Sequence, residues 1–373
     1  MLFRNFNLIS SLLITHNPQI SILKKSISII GSKGLPAKYG GFETLTNYLC
    51  KELSSTYKIN VSCEKVLRYD SAPYYHSENI KRFFVPFKAN GAQSIIHDLI
   101  AFIIAARKSD IILILGIGIG AFIPMLRKIF PGKRIITHTD GIEWRREKWL
   151  SFSKIYFKYS FRTACLYSHI IITDNTLLFR FIKRHYKTEV KDIRYGISCI
   201  PDKNNVSNPE YYLTIARAEK ENNLGLIAEA FLLLPNLKWK VLCNYQNTSY
   251  GKSFYNKYNH YPNIDIISAN YSDEYVNNLR SNAMAYIHGH SVGGSNPTLI
   301  EFLPYNKPTL CYDTIFNKET TFNKAVYFKG KNDLIELLSS HNYTHNPELK
   351  ELAIKNYDWE QIAKKYRDII EFI

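Results

Sequence analysis

Acidic residues are scarce in this chain. Against 48 Lys and Arg stand 32 Asp and Glu, a formal net charge of +16 over 373 residues. Such an excess favours polyanionic partners, which include nucleic acid, anionic lipid and phosphorylated substrates. Paired cysteines are missing as well. Cys50, Cys63, Cys165, Cys199, Cys243 and Cys311 stand apart with no C-x-x-C spacing, which argues against a zinc ribbon or a disulfide framework and suits a reducing cytoplasm. Long apolar runs are absent too: the longest, residues 111–126, holds three glycines and a proline and falls short of a membrane span. The residues after Arg4 are broken by Asn5, Asn7, Ser10, Ser11 and His16, so no secretory leader is expected. Neither G-x-G-x-x-G nor the Walker pattern occurs, which disfavours dinucleotide and P-loop readings. No Asp-x-Asp pair occurs to anchor a metal diphosphate. No DNA- or RNA-binding module is recognisable, so nucleic acid is not expected as the partner.

What is present is a regular alternation of short apolar runs and amphipathic stretches. Runs at 26–30, 59–63, 82–86, 111–115, 133–138 and 169–173 read as buried parallel strands, with helices at 42–53, 94–106, 150–167 and 176–186 between them. Residues 192–197 and the polar stretch 202–209 read as a linker, after which the alternation restarts. Strands are expected at 211–216, 238–243, 264–267, 283–287, 309–312 and 326–328, and helices at 223–234, 272–282, 331–339 and 358–372. Two βα sets in succession predict an α/β protein of two doubly wound, Rossmann-like domains with a cleft between their strand ends. The expected division is an unassigned extension at 1–25, an N-terminal domain at 26–197, a C-terminal domain at 198–356 and a final helix at 357–373 that packs back towards the first domain.

Four stretches carry chemistry. The first follows the strand at 283–287 and reads His288-Gly-His-Ser-Val-Gly-Gly-Ser-Asn-Pro-Thr-Leu-Ile-Glu301. Two glycines, a cap at Ser295 or Asn296 and Pro297 at the first helical position predict a helix to about Leu303 whose amide groups suit a phosphate. Glu301, one turn in, is placed to accept hydrogen bonds from sugar or ribose hydroxyls; a tight turn with a solvated Glu would look the same. The second, Gly31-Ser-Lys-Gly-Leu-Pro-Ala-Lys-Tyr-Gly-Gly41, joins the first strand to the first helix, a phosphate or nucleotide position. The third, Thr139-Asp-Gly-Ile-Glu-Trp-Arg-Arg-Glu-Lys-Trp149, crowds acids, bases and aromatics past a strand end, as a sugar or phosphate pocket does. The fourth, Arg217-Ala-Glu-Lys-Glu-Asn-Asn223, sets a guanidinium at a strand end, where it could clamp a diphosphate or simply pair with Glu219 or Glu221. His288 and His290 are too few for a metal site and read as pocket lining. Lys154, Lys158, Arg162, Lys183, Arg184 and Lys187 cluster with Arg145, Arg146 and Lys148, an electropositive face suited to anionic lipid or a diphosphate-linked acceptor.

In this order, and with the ending Tyr357-Asp-Trp-Glu-Gln-Ile-Ala-Lys-Lys-Tyr366, these stretches resemble the retaining GT-B glycosyltransferases of family 4. Within them the chain looks like the bacterial rhamnosyltransferase-type group of capsule and O-antigen assembly, whose first loop reads Gly-x-x-Gly-x-Pro-Ala-x-Tyr-Gly-Gly-Phe-Glu. The resemblance runs from about residue 26 to the end. It implies a GT-B fold and a nucleotide-diphosphate sugar (dTDP-, UDP- or GDP-linked) as co-substrate, with no separate cofactor and no metal. It implies a glycan or polyprenyl-diphosphate-linked acceptor, and a cytoplasmic protein resting at the inner face of the cytoplasmic membrane.

By the same resemblance the donor is held by Arg217, Lys220, His290, Gly293, Gly294, Ser295, Asn296, Thr298 and Glu301. The phosphate and acceptor loop supplies Gly34, Lys38, Tyr39, Gly40, Gly41 and Glu43, and His138, Asp140 and Glu143 are the catalytic candidates. Three positions depart from the broad family. Gly293 stands where a second Glu is usual, Asn222 where a Lys follows the clamp Arg, and Asp140 where a His is usual. Two rival readings stay open: a GT-B nucleotide-sugar epimerase, and an inactive membrane-surface sugar-binding subunit.

Overall fold

A computed structural model describes residues 24–37, 40–65, 77–139, 141, 151–201, 210–292, 294 and 296–373. The N-terminal extension through residue 23 and the polar stretch 202–209 lie outside these. The first sheet contains β1 (Ser26–Ile30), β2 (Lys58–Glu64), β3 (Ile80–Val85), β4 (Ile111–Leu115), β5 (Arg134–His138), β6 (Ile170–Thr173) and β7 (Glu189–Asp192), in the order β3-β2-β1-β4-β5-β6-β7. The second contains β8 (Tyr211–Ile215), β9 (Trp239–Cys243), β10 (Ile264–Ser268), β11 (Ala283–His288), β12 (Thr309–Tyr312) and β13 (Val326–Phe328), in the order β10-β9-β8-β11-β12-β13. Every pairing is parallel. All five residues of β4, Ile-Ile-Leu-Ile-Leu, are buried, as a strand covered on both faces requires.

In each sheet the chain starts near the middle, builds outward to one side and then returns to the other. The order therefore reverses between β1 and β4, and again between β8 and β11. At such a switch point the connections diverge to opposite faces and leave a crevice at the strands' carboxyl ends. In the first unit α1 (Gly41–Leu53) covers one face. On the other lie α2 (Ser94–Lys108), α3 (Ile123–Ile129), α4 (Ser151–Tyr167) and α5 (Thr176–His185), as right-handed crossovers from β3 towards β7 dictate. Phe102, Ile114, Phe161, Ile171 and Ile182 form the core between sheet and layer. Around the second sheet stand α6 (Leu224–Leu232), α7 (Ser249–Tyr258), α8 (Asp273–Ser281), α9 (Pro297–Ile300), α10 (Ile315–Thr320), α11 (Lys331–Ser340) and α12 (Pro347–Asn356).

The last helix, α13 (Trp359–Phe372), is capped by Asp358, whose carboxylate accepts from the Glu360 and Gln361 amides. It crosses back onto the first unit, as the sequence predicts. Trp359 stacks on Tyr48 of α1 at 4.5 Å between ring centroids and meets Tyr195 edge-on at 5.1 Å. Lys25 pairs with Glu371 at 3.2 Å. One apolar cluster runs without a break from Ile29 and Leu113 through Trp359 and Ile362 to Leu299 and Phe302 of the second unit. Among the described residues no helix is long and apolar enough to cross a membrane.

The secondary structure departs from the sequence reading in three places. Residues 189–192 form the edge strand β7, in which Val190 alone is buried, so no apolar run announces it. The polar helices α7, α10 and α12 have no counterpart in the reading. The helix expected over 297–303 stops at Ile300 and is followed by a 3-10 turn, Leu303–Tyr305. Pro304 disfavours helical backbone at the residue before it and has no N–H to continue the ladder.

Trp359→Ala should cost about 3–5 kcal/mol, since the cavity it leaves lies inside the cluster joining the two sheets. Urea denaturation followed by fluorescence and circular dichroism checks this, and loss of a single shared transition would show the two units uncoupling.

Candidate functional site

The carboxyl ends of both sheets face a cavity of about 520 Å³. Its first wall comes from the turn after β1. Gly31 has φ +94°, and a Cβ there would sit 2.2 Å from the Leu115 carbonyl oxygen, so only glycine lets the chain leave β1 against β4. The turn delivers Lys33, then Gly40 and Gly41 at the start of α1, all lining the cavity. Gly40 is the N-cap and offers no side-chain cap, and Gly40, Gly41, Phe42 and Glu43 bring the positive end of this 13-residue helix to the cavity lining. Glu43, in the first turn, is 4% exposed, and its Oε1 accepts from the Lys33 amide at 2.8 Å. Burial raises its carboxyl above the ordinary value, and hydrogen bonds from the Lys33, Glu43 and Gly40 backbone partly oppose this. Burial likewise lowers the Lys33 ammonium, while Glu64 and Glu43 pull it back up. Gly34 lies behind the wall, packed against Cys63.

His138 ends β5, is buried and lines the cavity. Its Nδ1 lies 3.0 Å from the Thr139 carbonyl and donates to it, which places a proton on Nδ1. Phe42 packs edge-on against it at 5.5 Å. From α2 comes Asp98, buried and facing the cavity, with Oδ1 2.9 Å from His97 Nδ1. Burial raises this carboxyl too, opposed by the His97 contact.

The second wall is built by two loops knitted together. Arg217 follows β8 and lines the cavity, with Nη1 3.8 Å from Glu219. Asn222 is buried: its Nδ2 donates to the Arg217 carbonyl at 2.8 Å, and its Oδ1 lies 2.8 Å from His290 Nδ1. Ser291 donates to the Glu221 carbonyl through N at 2.9 Å and Oγ at 3.0 Å, and Asn223 Nδ2 donates to Gly289 at 2.7 Å. Gly289 lets these loops meet, since a Cβ there would fall 2.3 Å from the Asn222 carbonyl oxygen. Asn317 props the far side, donating to the His290 carbonyl at 2.9 Å and the Tyr312 carbonyl at 2.8 Å while accepting from Asn296 at 3.3 Å. His288, wholly enclosed, is held well below the ordinary histidine range by burial and by His290, so it stays neutral. The walls close on each other at Gly41, where an added Cβ would lie 3.2 Å from Pro297, and at Gly294, whose would lie 3.7 Å from Gly141.

Of the residues singled out in the sequence, Gly40, Gly41, Glu43, His138, Arg217, His290, Gly294, Asn296 and Thr298 line this one cavity. Lys220 is exposed on a 3-10 turn and is not among the lining residues. Glu301 is not a lining residue either. Its carboxylate takes a hydrogen bond from Ser198 Oγ at 2.6 Å and pairs with buried Arg280, which also reaches Asn277 at 3.1 Å. Asn296 is the N-cap of α9, but its side chain serves Asn317 rather than the helix. Lys38, Tyr39, Asp140, Glu143, Gly293 and Ser295 lie outside the described residues. Lys33, Asp98 and Asn317 were not picked out from the sequence. No group of three metal-ligating side chains occurs among the described residues.

Two substitutions test these environments. Glu301→Ala strands the buried Arg280 guanidinium, and should cost about 3–5 kcal/mol by chemical denaturation. For Glu43 the folded carboxyl lies above its unfolded value, so its contribution is fully present below the unfolded pKa and is lost as pH rises through the folded one. The thermal midpoint of Glu43→Gln should therefore gain on the wild type as pH rises from about 4 towards neutrality, and the difference should then level off.

The family described as a domain of unknown function (DUF1972) matches residues 24–198, the extent of the first sheet. No curated protein matches the sequence. Among solved structures, sucrose-phosphate synthase from Thermosynechococcus elongatus superposes with a TM-score of 0.75 at 14% identity, covering 94% of this chain and 100% of that one. Anabaena HepE in complex with UDP and glucose gives 0.70 at 12% identity, with 94% and 100% covered. A UDP-forming α,α-trehalose-phosphate synthase from Burkholderia xenovorans gives 0.65 at 10% identity, with 92% and 98% covered. Two parallel Rossmann-like sheets, a cleft at their carboxyl ends and a returning C-terminal helix give this chain the GT-B glycosyltransferase fold.

Proposed function

We propose that this protein is a hexosyltransferase-type glycosyltransferase that moves a sugar, rhamnose by its sequence resemblance, from a nucleotide-diphosphate donor to a glycan or polyprenyl-diphosphate-linked acceptor. The product belongs to surface polysaccharide such as capsule or O-antigen, and the work is done in the cytoplasm at the membrane's inner face. The observation that carries this is the convergence of Arg217, Lys33 and the N-terminal end of α1 on one cleft. Three positive groups from two walls suit a diphosphate, which gathers charge as the glycosidic bond to it breaks. The UDP held by HepE and the UDP formed by the trehalose-phosphate synthase support a nucleotide-sugar donor for this fold.

In this reading Arg217 and the α1 amides stabilise the departing nucleotide diphosphate. The sequence holds no Asp-x-Asp pair, so protein groups take the part a metal would play. The acceptor hydroxyl attacks the face the diphosphate leaves, which retains the anomeric configuration. Asp140 positions the acceptor or the oxocarbenium-like centre, and Asp98, which lines the cleft, orients acceptor hydroxyls. Asn222 and Asn317 hold His290 against the donor. Glu301, through Ser198 and Arg280, fixes the α9 loop from behind the cleft.

Thermal stabilisation by UDP, dTDP and GDP and their sugars, without and then with magnesium, tests the donor site. One base should stabilise by about 2.7 kcal/mol at a hundredfold excess over Kd, unchanged by magnesium. Arg217→Ala should weaken that nucleotide roughly ten- to hundredfold, the worth of charge-assisted hydrogen bonds. Asp140→Ala should keep nucleotide binding and lose turnover, and wild-type turnover in that variant refutes its role. No stabilisation by any nucleotide would assign the chain to non-catalytic sugar binding.

A further inference from the structure

The helical layer α2–α5 has a surface unlike the rest of the molecule. α4 carries Lys154, Lys158 and Arg162 and no acid, and α5 carries Arg180, Lys183 and Arg184 and no acid. α2 and α3 each hold a basic pair near their ends, Arg107-Lys108 and Arg127-Lys128. The one acid in the four helices is Asp98, which is buried beside the cleft. The exposed charge of the layer is therefore of a single sign.

The same surface is apolar where a solvated helix would be polar. On α4, Phe152 is 81% exposed, Ile155 68%, Tyr159 56% and Leu166 49%. Their spacing puts all four within about 60° of helix circumference, opposite Phe161 and Ala164, which are buried against the sheet. Lys158 and Arg162 border that stripe. The neighbouring α3 exposes Met125 and Ile129, and α2 exposes Ile96 and Ile103. Protruding aromatic and aliphatic side chains set among unopposed Lys and Arg match an interface of acyl chains beneath anionic headgroups.

We propose that the outer surface of α2–α5 is a bilayer-docking face. The Phe152, Ile155, Tyr159 and Leu166 stripe enters the headgroup region of an anionic membrane, and the basic residues around it engage lipid phosphates. This rests on the membrane placement proposed above and assigns it to particular side chains. It has a geometric corollary: Ser94 and Asp98 of α2 and Phe157 of α4 line the cleft, so the docked face opens the cleft beside the membrane, where a lipid-linked acceptor is held.

The test is cosedimentation of the full chain with vesicles of phosphatidylcholine alone and of phosphatidylcholine mixed with phosphatidylglycerol. Wild type should pellet with the mixed vesicles, stay in solution with the neutral ones, and be released by high salt. The triple variant Phe152→Ser, Ile155→Ser, Tyr159→Ser should lose at least about tenfold in partitioning. Lys158→Glu and Arg162→Glu should each lose about fivefold or more. All three variants alter exposed side chains, and unchanged circular dichroism and thermal midpoints confirm their fold. Wild type that ignores both vesicles, or triple-variant binding equal to wild type, overturns the proposal. So does a wild-type dimer that the triple variant dissolves, which would give the face to a second copy of the chain. Nucleotide stabilisation of the same variants is an independent readout: it should persist in all of them, and its absence in wild type would fail the donor reading while leaving the docking result standing.

Discussion

The cleft exists because one apolar cluster ties two sheets together. Trp359 lies against Tyr48 of one helix and Tyr195 of the connecting segment, and a Cβ at Gly196 would fall 2.4 Å from its indole. The helix it begins then packs on the first sheet, while Leu299, Ile300 and Phe302 extend the same cluster into the second. Each sheet alone would present a shallow crevice at its switch point. Held face to face, the two crevices become one enclosure whose walls meet at Gly41 and Pro297. A second tie lies at the cleft's rim, where Glu319 of the second unit takes hydrogen bonds from the Thr176 amide at 2.9 Å and Asn175 at 3.2 Å and pairs with Arg194. That carboxylate sits at the start of α5, where the helix field favours it.

Charge inside the enclosure is arranged by environment rather than by count. Positive character comes from Arg217, Lys33 and backbone amides. The two buried acids, Glu43 and Asp98, are both pushed towards their protonated forms by burial. His288 is kept neutral. Burial thus makes both carboxyls harder to ionise than they would be in water. The net charge of +16 is for the most part a property of the outer surface, concentrated where four helices carry almost no acid.

Much of this was legible in the sequence because its physical causes are local. β1, β4 and β12 are short apolar runs with clear ends, and the structure bounds them as the pattern does. The glycine loops could be read as cleft-forming because glycine before a helix has few other uses. What was hidden depends on distant neighbours. β7 is an edge strand with one buried residue and looks like loop. Asp98 sits in an amphipathic helix, and only the placement of α2 against β4 shows which turn faces the cavity. Arg280 and Ser198 engage Glu301 from 21 and 103 residues away, beyond any local pattern, so a residue whose spacing suggested a solvent-facing acceptor proves to be a buried anchor as well. Asn317 supports the loop after β11 from α10, a helix too short and polar to announce itself.

Asn222 shows how such departures should be weighed. By the sequence resemblance alone it reads as a missing lysine. Here both ends of its amide are in use, one on the Arg217 carbonyl and one on the His290 ring, in a space that leaves it 6% exposed. A lysine has three donors and no acceptor, so it could meet that ring nitrogen only in the tautomer with Nδ1 unprotonated, and its ammonium would be largely shut off from water. Residues 217, 222, 290 and 317 are thus coupled through their hydrogen bonds, and exchanging one would act on the other three. Homologues of this chain should vary at these positions together or not at all, and grafting single family residues into the site would report their mutual dependence rather than any one residue's role.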